Sequence, residues 1–340
     1  MTPSRLLAAL VLTALLLAGC GSAAAPAASS LLSSSASAAK THRVASYSSI
    51  ASTVTMIWVT KDAGLFEKHG LDVDFQYIAS ATSVPALISG QVNIAAVGGS
   101  EVLSAVASGA DLVIVTTDTP VYPYIFEVAP GLQNPADLKG KSIGISRFGS
   151  SSDLATRAVL KKFGMEADKD VALIQTGSTS ERMAAMKAGT IQAGVAQPPD
   201  TIEMERQGWR PLVDLASQNI PAPTLVHAVQ RTYRNSNRDA IQRYVDALVE
   251  GIARMRRDRA FSIQTLRKYM KVDDEQALNA AYEYGSKPEL TPSLPYPRVE
   301  QYAETLAILG EKNEKLAKLD VAGVLDPSFV KSAEDRGLAK

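Results

Sequence analysis

Short apolar runs alternate with amphipathic stretches along the chain from residue 42 onward. The apolar runs predict strands at residues 43–47, 71–78, 93–97, 112–117, 142–146, 171–176, 193–196 and 210–215. The stretches between them predict helices at residues 53–60, 84–89, 101–107, 153–163 and 181–188. Strands that alternate with helices in this way are typical of an α/β fold with mostly parallel sheets.

Two kinds of strand pattern are present. In residues 71–78 the apolar side chains of Leu71, Val73 and Phe75 alternate with polar ones, which predicts a sheet edge or a strand with one wet face. Residues 93–97 and 112–115 are more continuously apolar, as buried parallel strands are. Trp58 stands among Met, Ile and Val in a predicted helix, and we expect it in the core.

The last third of the chain has a different, mainly helical pattern. It predicts helices at residues 235–257, 263–270, 275–284 and 298–316, the last with Val299, Tyr302, Leu306 and Leu309 at helical spacing. The apolar segment 224–230 precedes these helices. We expect it to be a strand that returns from a second lobe to a first, where His227 would be a structural histidine.

An internal similarity indicates that the α/β part contains two related units. Residues 68–71 and 86–93 resemble residues 162–165 and 185–192, and in each copy a helix ends at a glycine before a strand begins. Two copies of a βα unit predict two similar lobes. Chance similarity remains the alternative, because glycine commonly ends helices in α/β chains.

The N-terminal segment has the features of a secretory signal. Arg5 precedes a run at residues 6–17 that is apolar except for Thr13. Leu17-Ala18-Gly19 stand directly before Cys20, the 1 cysteine of the chain. This arrangement resembles the lipobox of bacterial lipoproteins, which implies removal of residues 1–19 and a lipid on Cys20. An ordinary signal with a chance cysteine is the alternative. Residues 20–40 are rich in Ala and Ser and would form a flexible tether.

Composition narrows the classes of function. Lys plus Arg and Asp plus Glu are equal at 35 each, so the chain lacks the basic excess that nucleic-acid binding favours. The 3 histidines lie far apart in sequence, and a zinc site or another bound cofactor is not expected. No nucleotide-binding GxxxxGK[ST] loop occurs in the sequence.

Four segments together resemble one known family. Residues 56–78, 86–98, 138–144 (Leu-Lys-Gly-Lys-Ser-Ile-Gly) and 183–196 are similar to the nitrate/sulfonate/taurine-type substrate-binding proteins of ABC transporters, a group that includes binders of thiamine-precursor pyrimidines. The resemblance implies a type II periplasmic-binding fold. In that fold two α/β lobes with mostly parallel sheets are joined by two crossover strands, and the ligand lies between them. It implies no catalysis and no cofactor.

The resemblance also implies an organisation and partners. We expect a first lobe from residues 41–127 plus 224–340 and a second lobe from residues 128–223. The chain would be a monomer, held on the extracytoplasmic face by its lipid alone, that passes a small organic or inorganic solute to an ABC permease and its ATPase. Two alternatives stay open: a tethered ligand sensor for a signalling partner, or an enzyme of the pyrimidine-synthase type on the same fold.

Loops that follow the predicted strands are rich in Gly, Ser and Thr, and ligands of open α/β sheets bind beyond such strand ends. Free backbone N–H groups at the helix starts would favour an anion, and tyrosines would favour a heterocycle. The candidate ligand-binding residues are Tyr47, Ser48, Ser80, Thr82, Gly99, Ser100, Tyr124, Arg147, Gly149, Ser150, Ser151 and Gln197.

Each of these candidates has a plainer interpretation. Serine and threonine before a helix are ordinary N-caps, and Arg147 is equally compatible with a solvated or lobe-bridging role. Ser178 and Glu181 have the spacing of a capping box and are expected to be structural.

Overall fold

A computed structural model describes residues 41–311 and 313–339. The predicted signal, the lipidated Cys20 and the tether at residues 20–40 lie outside the described residues. The described strands, in chain order, are β1 Thr41–Tyr47, β2 Leu71–Tyr77, β3 Ile94–Val97, β4 Leu112–Val121, β5 Ile125–Val128, β6 Ser142–Ile145, β7 Ala172–Gln175, β8 Ala193–Ala196, β9 Arg210–Asp214 and β10 Pro221–Gln230.

The helices cover both sheets and most of the last third of the chain. In chain order they are α1 Thr55–Asp62, α2 Leu65–Lys68, α3 Ser80–Ile88, α4 Gly99–Ala107, α5 Ser151–Lys162, α6 Thr179–Lys187, α7 Asp200–Arg206, α8 Arg231–Ser236, α9 Arg238–Arg257, α10 Arg259–Met270, α11 Glu275–Gly285, α12 Ala303–Gly310, α13 Glu314–Ala317 and α14 Ser328–Asp335. None of the helices that the structure describes has both the length and the apolar character needed to cross a bilayer.

The strands form two five-stranded sheets with the same topology. The first sheet has the order β2-β1-β3-β10-β4 and the second has the order β7-β6-β8-β5-β9. In the first sheet β10 runs antiparallel to both of its neighbours, and in the second sheet β5 does the same. The other strands of each sheet run in one direction, so the predicted fold class is confirmed, with one reversed strand in each sheet.

The reversed strands are the two that cross between the sheets. The chain leaves the first sheet after Val121 and enters the second at Ile125, and it returns between Asp214 and Pro221. β10 is therefore the expected returning strand. Residues 125–127, which the sequence analysis assigns to the first lobe, pair with β8 and β9 of the second sheet. The bounds of the lobes stay a prediction.

Corresponding positions of the sequence repeat occupy corresponding positions in the two sheets. β2 and β7 form the equivalent edges, and β3 and β8 are the equivalent third strands. The glycine that precedes the edge strand has a left-handed backbone in both copies, with φ of 72° at Gly70 and 67° at Gly164. A glycine with the same left-handed backbone also ends the next helix of each copy. The repeat is thus a structural one, and β2 lies at a sheet edge as its alternating pattern predicts.

Trp58 is in the core beneath the first sheet, as expected. It is 1% exposed, and its indole stacks on Tyr269 with ring centroids 5.0 Å apart. The long helix α9 packs on α1 and adds Tyr244 and Leu248, both fully buried, to the same core. Burial of such large side chains is the main term that stabilises this half of the molecule, at roughly 1.5–3 kcal/mol for each.

Two helices of the last third differ from their predicted extent. The predicted helix at 298–316 is wrong as one element: a 3-10 turn precedes α12, and a separate short helix, α13, folds back beside it. A Cβ on Gly310 would lie 3.1 Å from the Cα of Ala317, so glycine permits this close return. The predicted helix at 235–257 is interrupted at Asn237, whose φ of −132° is not helical. The elements α2, β5, α7 and α14 have no counterpart among the predicted strands and helices.

Candidate functional site

The carboxyl ends of strands from both sheets open onto one cavity, which we call the intersheet cavity. The first sheet contributes Ser48 after β1, Ser80 after β2 and Gly98 after β3. The second sheet contributes the equivalent residues, which are Ser146 after β6, Gly177 and Ser178 after β7, and Gln197 after β8. The N-termini of α3, α4, α5 and α6 adjoin the same cavity, and helix N-termini favour acceptor and anionic groups.

The structure places half of the predicted ligand-binding residues on this cavity. The predicted residues that line it are Ser48, Ser80, Tyr124, Ser150, Ser151 and Gln197. The lining that the structure describes does not include the others, which are Tyr47, Thr82, Gly99, Ser100, Arg147 and Gly149. Ligand contact by any of the twelve residues stays a prediction. The six that line the cavity are accessible to a solute inside it.

Most of the second group have a local structural role. Tyr47 packs edge-on against Trp58 with ring centroids 5.9 Å apart, because its side chain leaves β1 toward the core. The Thr82 hydroxyl donates to the Ala79 carbonyl at 3.2 Å within the first turn of α3. Gly99 lies so near Pro223 that a Cβ would approach it to 2.6 Å. Gly149 lines a separate surface pocket beside Leu309.

A buried carboxylate that the sequence analysis missed lies at the first-sheet side of the cavity. Glu101, in the first turn of α4, accepts hydrogen bonds from the hydroxyls of Ser80 at 2.7 Å and Ser100 at 2.8 Å. Its side chain is 3% exposed. A guanidinium nitrogen of Arg147 lies 3.7 Å from its Oε1, so this arginine reaches from the second sheet to the first. Ser100 therefore serves the cavity indirectly, by orienting Glu101.

A buried guanidinium, also missed, lies on the opposite side. Arg182 of α6 donates from Nε to the Val195 carbonyl at 3.0 Å and from Nη1 to the Ser146 hydroxyl at 2.9 Å. Burial lowers the pKa of Arg182, while the neighbouring Tyr124 and Asp200 oppose the shift. Burial raises the pKa of Asp200, which also lines the cavity, and the charge of Arg182 partly offsets that effect.

Tyr124 lies under the electrostatic influence of both charged sides. Burial raises the pKa of its hydroxyl to about 12, the Arg182 guanidinium opposes this shift, and the Glu101 carboxylate adds to it. The phenol therefore stays protonated at neutral pH and offers the cavity a hydrogen-bond donor. Its position in the segment between β4 and β5 brings it to the cavity, where the chain crosses from one sheet to the other.

Local sequence signals for the two missed charges were weak. Glu101 occupies the third position of its helix, where a carboxylate is an ordinary first-turn residue. Arg182 follows the capping box of Ser178 and Glu181, which the structure confirms, and it shares the buried face of α6 with Met183 and Met186. An arginine on an otherwise apolar helix face was the usable signal. Ser178 both caps this helix and lines the cavity.

The two sides of the cavity are in direct contact. The Ser52 hydroxyl donates to the Gln197 amide oxygen at 2.9 Å, and Thr53 lies 3.5 Å from the same oxygen. A Cβ placed on Gly98 would lie 2.8 Å from the Ser151 hydroxyl oxygen and 2.0 Å from Glu101 Oε2, so only glycine fits at this closest approach. This cavity, which both sheets line with hydroxyl and charged groups, can offer hydrogen-bond partners to a small solute.

His227, the histidine expected to be structural, does not line this cavity. Its Nδ1 lies 2.7 Å from Asp118 Oδ2 and 3.0 Å from the Thr116 hydroxyl, with all three residues fully buried in β4 and β10. The imidazole is therefore occupied in the packing between the crossing strands. In the described residues, no group of three or more His, Cys, Asp or Glu side chains is arranged to hold a metal ion.

Comparison with known proteins identifies the family. The sequence model described as NMT1/THI5 like matches residues 51–259 of this chain. The chain belongs to the NMT1/THI5-like family. This result confirms the resemblance that was expected from the four sequence segments. A protein of Brucella abortus with the provisional name of a binding protein is 28% identical over 221 residues, which cover 63% of this chain and 67% of that protein.

Solved structures show that this family member has the fold of periplasmic binding proteins. The alkanesulfonate-binding protein SsuA of Xanthomonas axonopodis pv. citri, bound to MOPS, superposes with a TM-score of 0.71 at 22% identity and covers 85% of this chain and 99% of its own. The periplasmic nitrate-binding protein NrtA of Synechocystis PCC 6803 gives a TM-score of 0.70 at 14% identity, with coverage of 87% and 89%.

The same fold also occurs in an enzyme. The desulfurization enzyme DSZB is similar with a TM-score of 0.63 at 16% identity, and covers 87% of this chain and 99% of its own. At such identities the similarity concerns the fold. The chemistry of this NMT1/THI5-like chain has to be argued from its own cavity.

Proposed function

We propose that this chain is an extracytoplasmic solute-binding lipoprotein that captures a small solute in the intersheet cavity and delivers it to an ABC importer. The observation that carries the proposal is the cavity itself. It is formed by equivalent strand ends of two sheets with the same topology. Its walls are serine and threonine hydroxyls, helix N-termini and charged side chains, with Glu101 on the first-sheet side and Arg182 and Asp200 on the second-sheet side.

This architecture supports a ligand location between the two sheets. Two lobes that are connected by crossing strands can close on a solute by hinge motion, which lets residues of both sheets contact it at once. The contact between Ser52 and Gln197 joins the same two surfaces that a solute would bridge. The similar structures include an alkanesulfonate-binding protein and a nitrate-binding protein, which supports a small polar solute for this chain as well.

The lipid anchor and the transport partners rest on the sequence. Cys20 directly follows the small residues of a signal-like segment, and residues 20–40 would hold the folded part away from the membrane. Such an anchored binding protein would function in import by delivering its solute to a permease with a separate ATPase. A tethered sensor would use the same cavity. The two functions are distinguished by solute uptake in cells that lack this chain, which should fall if the chain serves an importer and stay unchanged if it serves a sensor.

The proposal is tested by solute capture. The purified full chain is mixed with a small-molecule extract of its source cells and separated from unbound material by rapid gel filtration. Solutes released on heating are then identified by mass spectrometry. We expect retention of one or a few solutes at near one per chain, and no retention by Ser151→Leu, in which a bulky side chain fills the cavity. Recovery of chemically altered solutes after prolonged incubation would instead indicate an enzyme.

A further inference from the structure

Helix α11 is anchored in the half of the molecule that is built on the first sheet. Leu278 and Tyr282 of this helix pack in the core beneath that sheet. Near the end of the helix, Tyr284 joins Val121 and Ala216 in a small apolar cluster, and these two residues lie in the segments that connect the sheets. The eleven residues of α11 span about 16 Å, so its first turn lies well away from the connecting segments.

The first turn of α11 is bonded to α7, which belongs to the half built on the second sheet. Arg206, the last residue of α7, donates from Nη1 to Asp274 Oδ2 and from Nη2 to the Gln276 amide oxygen at 2.8 Å. Met204 of α7 is fully buried in an apolar cluster with residues of α6 and β8, which fixes α7 to the second sheet. We call the contact of Arg206 with Asp274 and Gln276 the α7–α11 clasp.

The acceptor side of the clasp is held in place before Arg206 binds. Asp274 is the N-cap of α11, and its Oδ1 accepts a hydrogen bond from the Ala277 N–H at 2.8 Å. The cation ends one helix and the anion begins the other, so each charge lies at the helix terminus that favours it. The bonds from Arg206 and from the Ala277 N–H hold the pKa of Asp274 below its ordinary value, and the carboxylate is therefore ionised at neutral pH.

We propose that the α7–α11 clasp holds the two halves in a closed arrangement from outside the cavity. The inference rests on the proposed function, in which the halves close on a solute by rotation about the connecting segments. Such a rotation has to separate Arg206 from Asp274, because α7 is anchored in one half and α11 in the other. Among the described residues that line the cavity, none belongs to the clasp. The clasp would therefore set how long a solute is retained, without selecting which solute enters.

Pulsed electron paramagnetic resonance on the chain, freed of solute by extensive dialysis, tests the proposal. Nitroxide labels at Ala81→Cys and Ser180→Cys, in a chain with Cys20→Ser, report the distance between exposed positions in the first turns of α3 and α6. These helices follow β2 and β7, the edges farther from the reversed strands, so opening should lengthen the distance. We expect Arg206→Gln to raise the fraction of molecules at longer distances by about 3-fold, as loss of one exposed ion pair allows.

Further variants separate the clasp from a general effect of surface charge. Asp274→Asn keeps an N-cap oxygen on α11 but removes the charge, and it should lengthen the distance as Arg206→Gln does. The double variant should be no more open than either single variant, because the two side chains act as a pair. Arg267→Gln is the matched control. Arg267 bonds Glu275 in the same turn of α11, but from α10 of the same half, and its loss should leave the distances unchanged.

The same distance distribution in the native chain and in Arg206→Gln would overturn the proposal. An equal lengthening in Arg267→Gln would overturn it too, since that arginine does not connect the halves. In either case, capture of a solute from the cell extract by the native chain would still support the proposed function, because the capture assay does not depend on the clasp.

Discussion

The hydroxyl of Ser52 donates a 2.9 Å hydrogen bond to the amide oxygen of Gln197, and this bond joins the two sheets across the cavity. Ser52 stands in the turn after β1, whereas Gln197 is the first residue after β8. Both side chains are largely buried. The bond therefore links a strand end of one sheet to a strand end of the other, at the place where a closing motion would bring the two halves together.

Gln197→Ala should weaken this contact and shift the two sheets toward a more open arrangement. We expect a larger radius of gyration by small-angle scattering, with a loss of about 1 kcal/mol in the free energy of unfolding, as for one ordinary hydrogen bond. Gln207→Ala removes an exposed glutamine of the same region and should change neither quantity. Identical scattering profiles for the native chain and Gln197→Ala would show that this bond does not control closure.

Ser151 and Ser100, both candidate ligand-binding residues from the sequence, should respond differently to the same substitution. Ser151→Leu should abolish solute capture with little loss of stability, because residue 151 lines the cavity at the start of α5. Ser100→Leu should destabilise the protein by about 2–3 kcal/mol, since Ser100 is 2% exposed and its hydroxyl bonds Glu101. Urea denaturation and solute capture measure the two effects. Equal stability losses in both variants would contradict this distinction.

Sequence patterns were sufficient to predict the strands and helix ends that have a regular apolar period or occur in both copies of the repeat. The alternating residues of β2 indicated an edge strand, and glycine stops such as Gly70 and Gly164 marked equivalent turns, because only a left-handed backbone fits there. β5 was missed since its four residues, Ile125–Val128, include a buried glutamate and are too short to show a period. Gly310 looked compatible with a helix, yet the close return of α13 depends on a tertiary contact.

The site was predictable only in part, for a related reason. Strand-end loops identify the edge of a sheet at which a ligand binds, and this rule placed Ser48, Ser80 and Gln197 on the cavity. The rule does not say which of several neighbouring side chains turns inward. Glu101 and Arg182 enter the cavity because of hydrogen bonds to Ser80 and Ser146, and those partners lie 21 and 36 residues away in sequence.

Cys20→Ser should release the protein from the membrane while the folded part remains intact. The thiol would be the attachment point of the lipid, and residues 21–40 would act only as a tether. Fractionation of cells followed by a high-salt wash checks this result, with Ser22→Ala as the matched control that leaves the cysteine in place. A substituted protein that still pellets with washed membranes would contradict lipid attachment at Cys20.

Glu127 should make the stability of the protein depend on pH. Its side chain is fully buried in β5, and neither carboxyl oxygen has a hydrogen-bond partner among the described residues. Burial raises the pKa of Glu127 to about 8 from an ordinary 4.5, and the nearby Glu205 adds to the shift. Between these two values the unfolded chain loses the proton while the folded chain keeps it. The free energy of unfolding therefore falls as pH rises through this window, and this loss of stability is complete above about pH 8.

Glu127→Gln removes this proton linkage and nearly keeps the shape of the side chain. We expect the variant to gain about 3–4 kcal/mol relative to the native chain between about pH 5 and pH 8, on top of any offset that is independent of pH. Urea denaturation at several pH values measures the difference, in which the other titrating groups cancel. Glu166→Gln, at an exposed position, should run parallel to the native chain. A constant difference between native and Glu127→Gln across this range would mean that Glu127 is ionised in the folded protein, with water or a moved side chain solvating its charge.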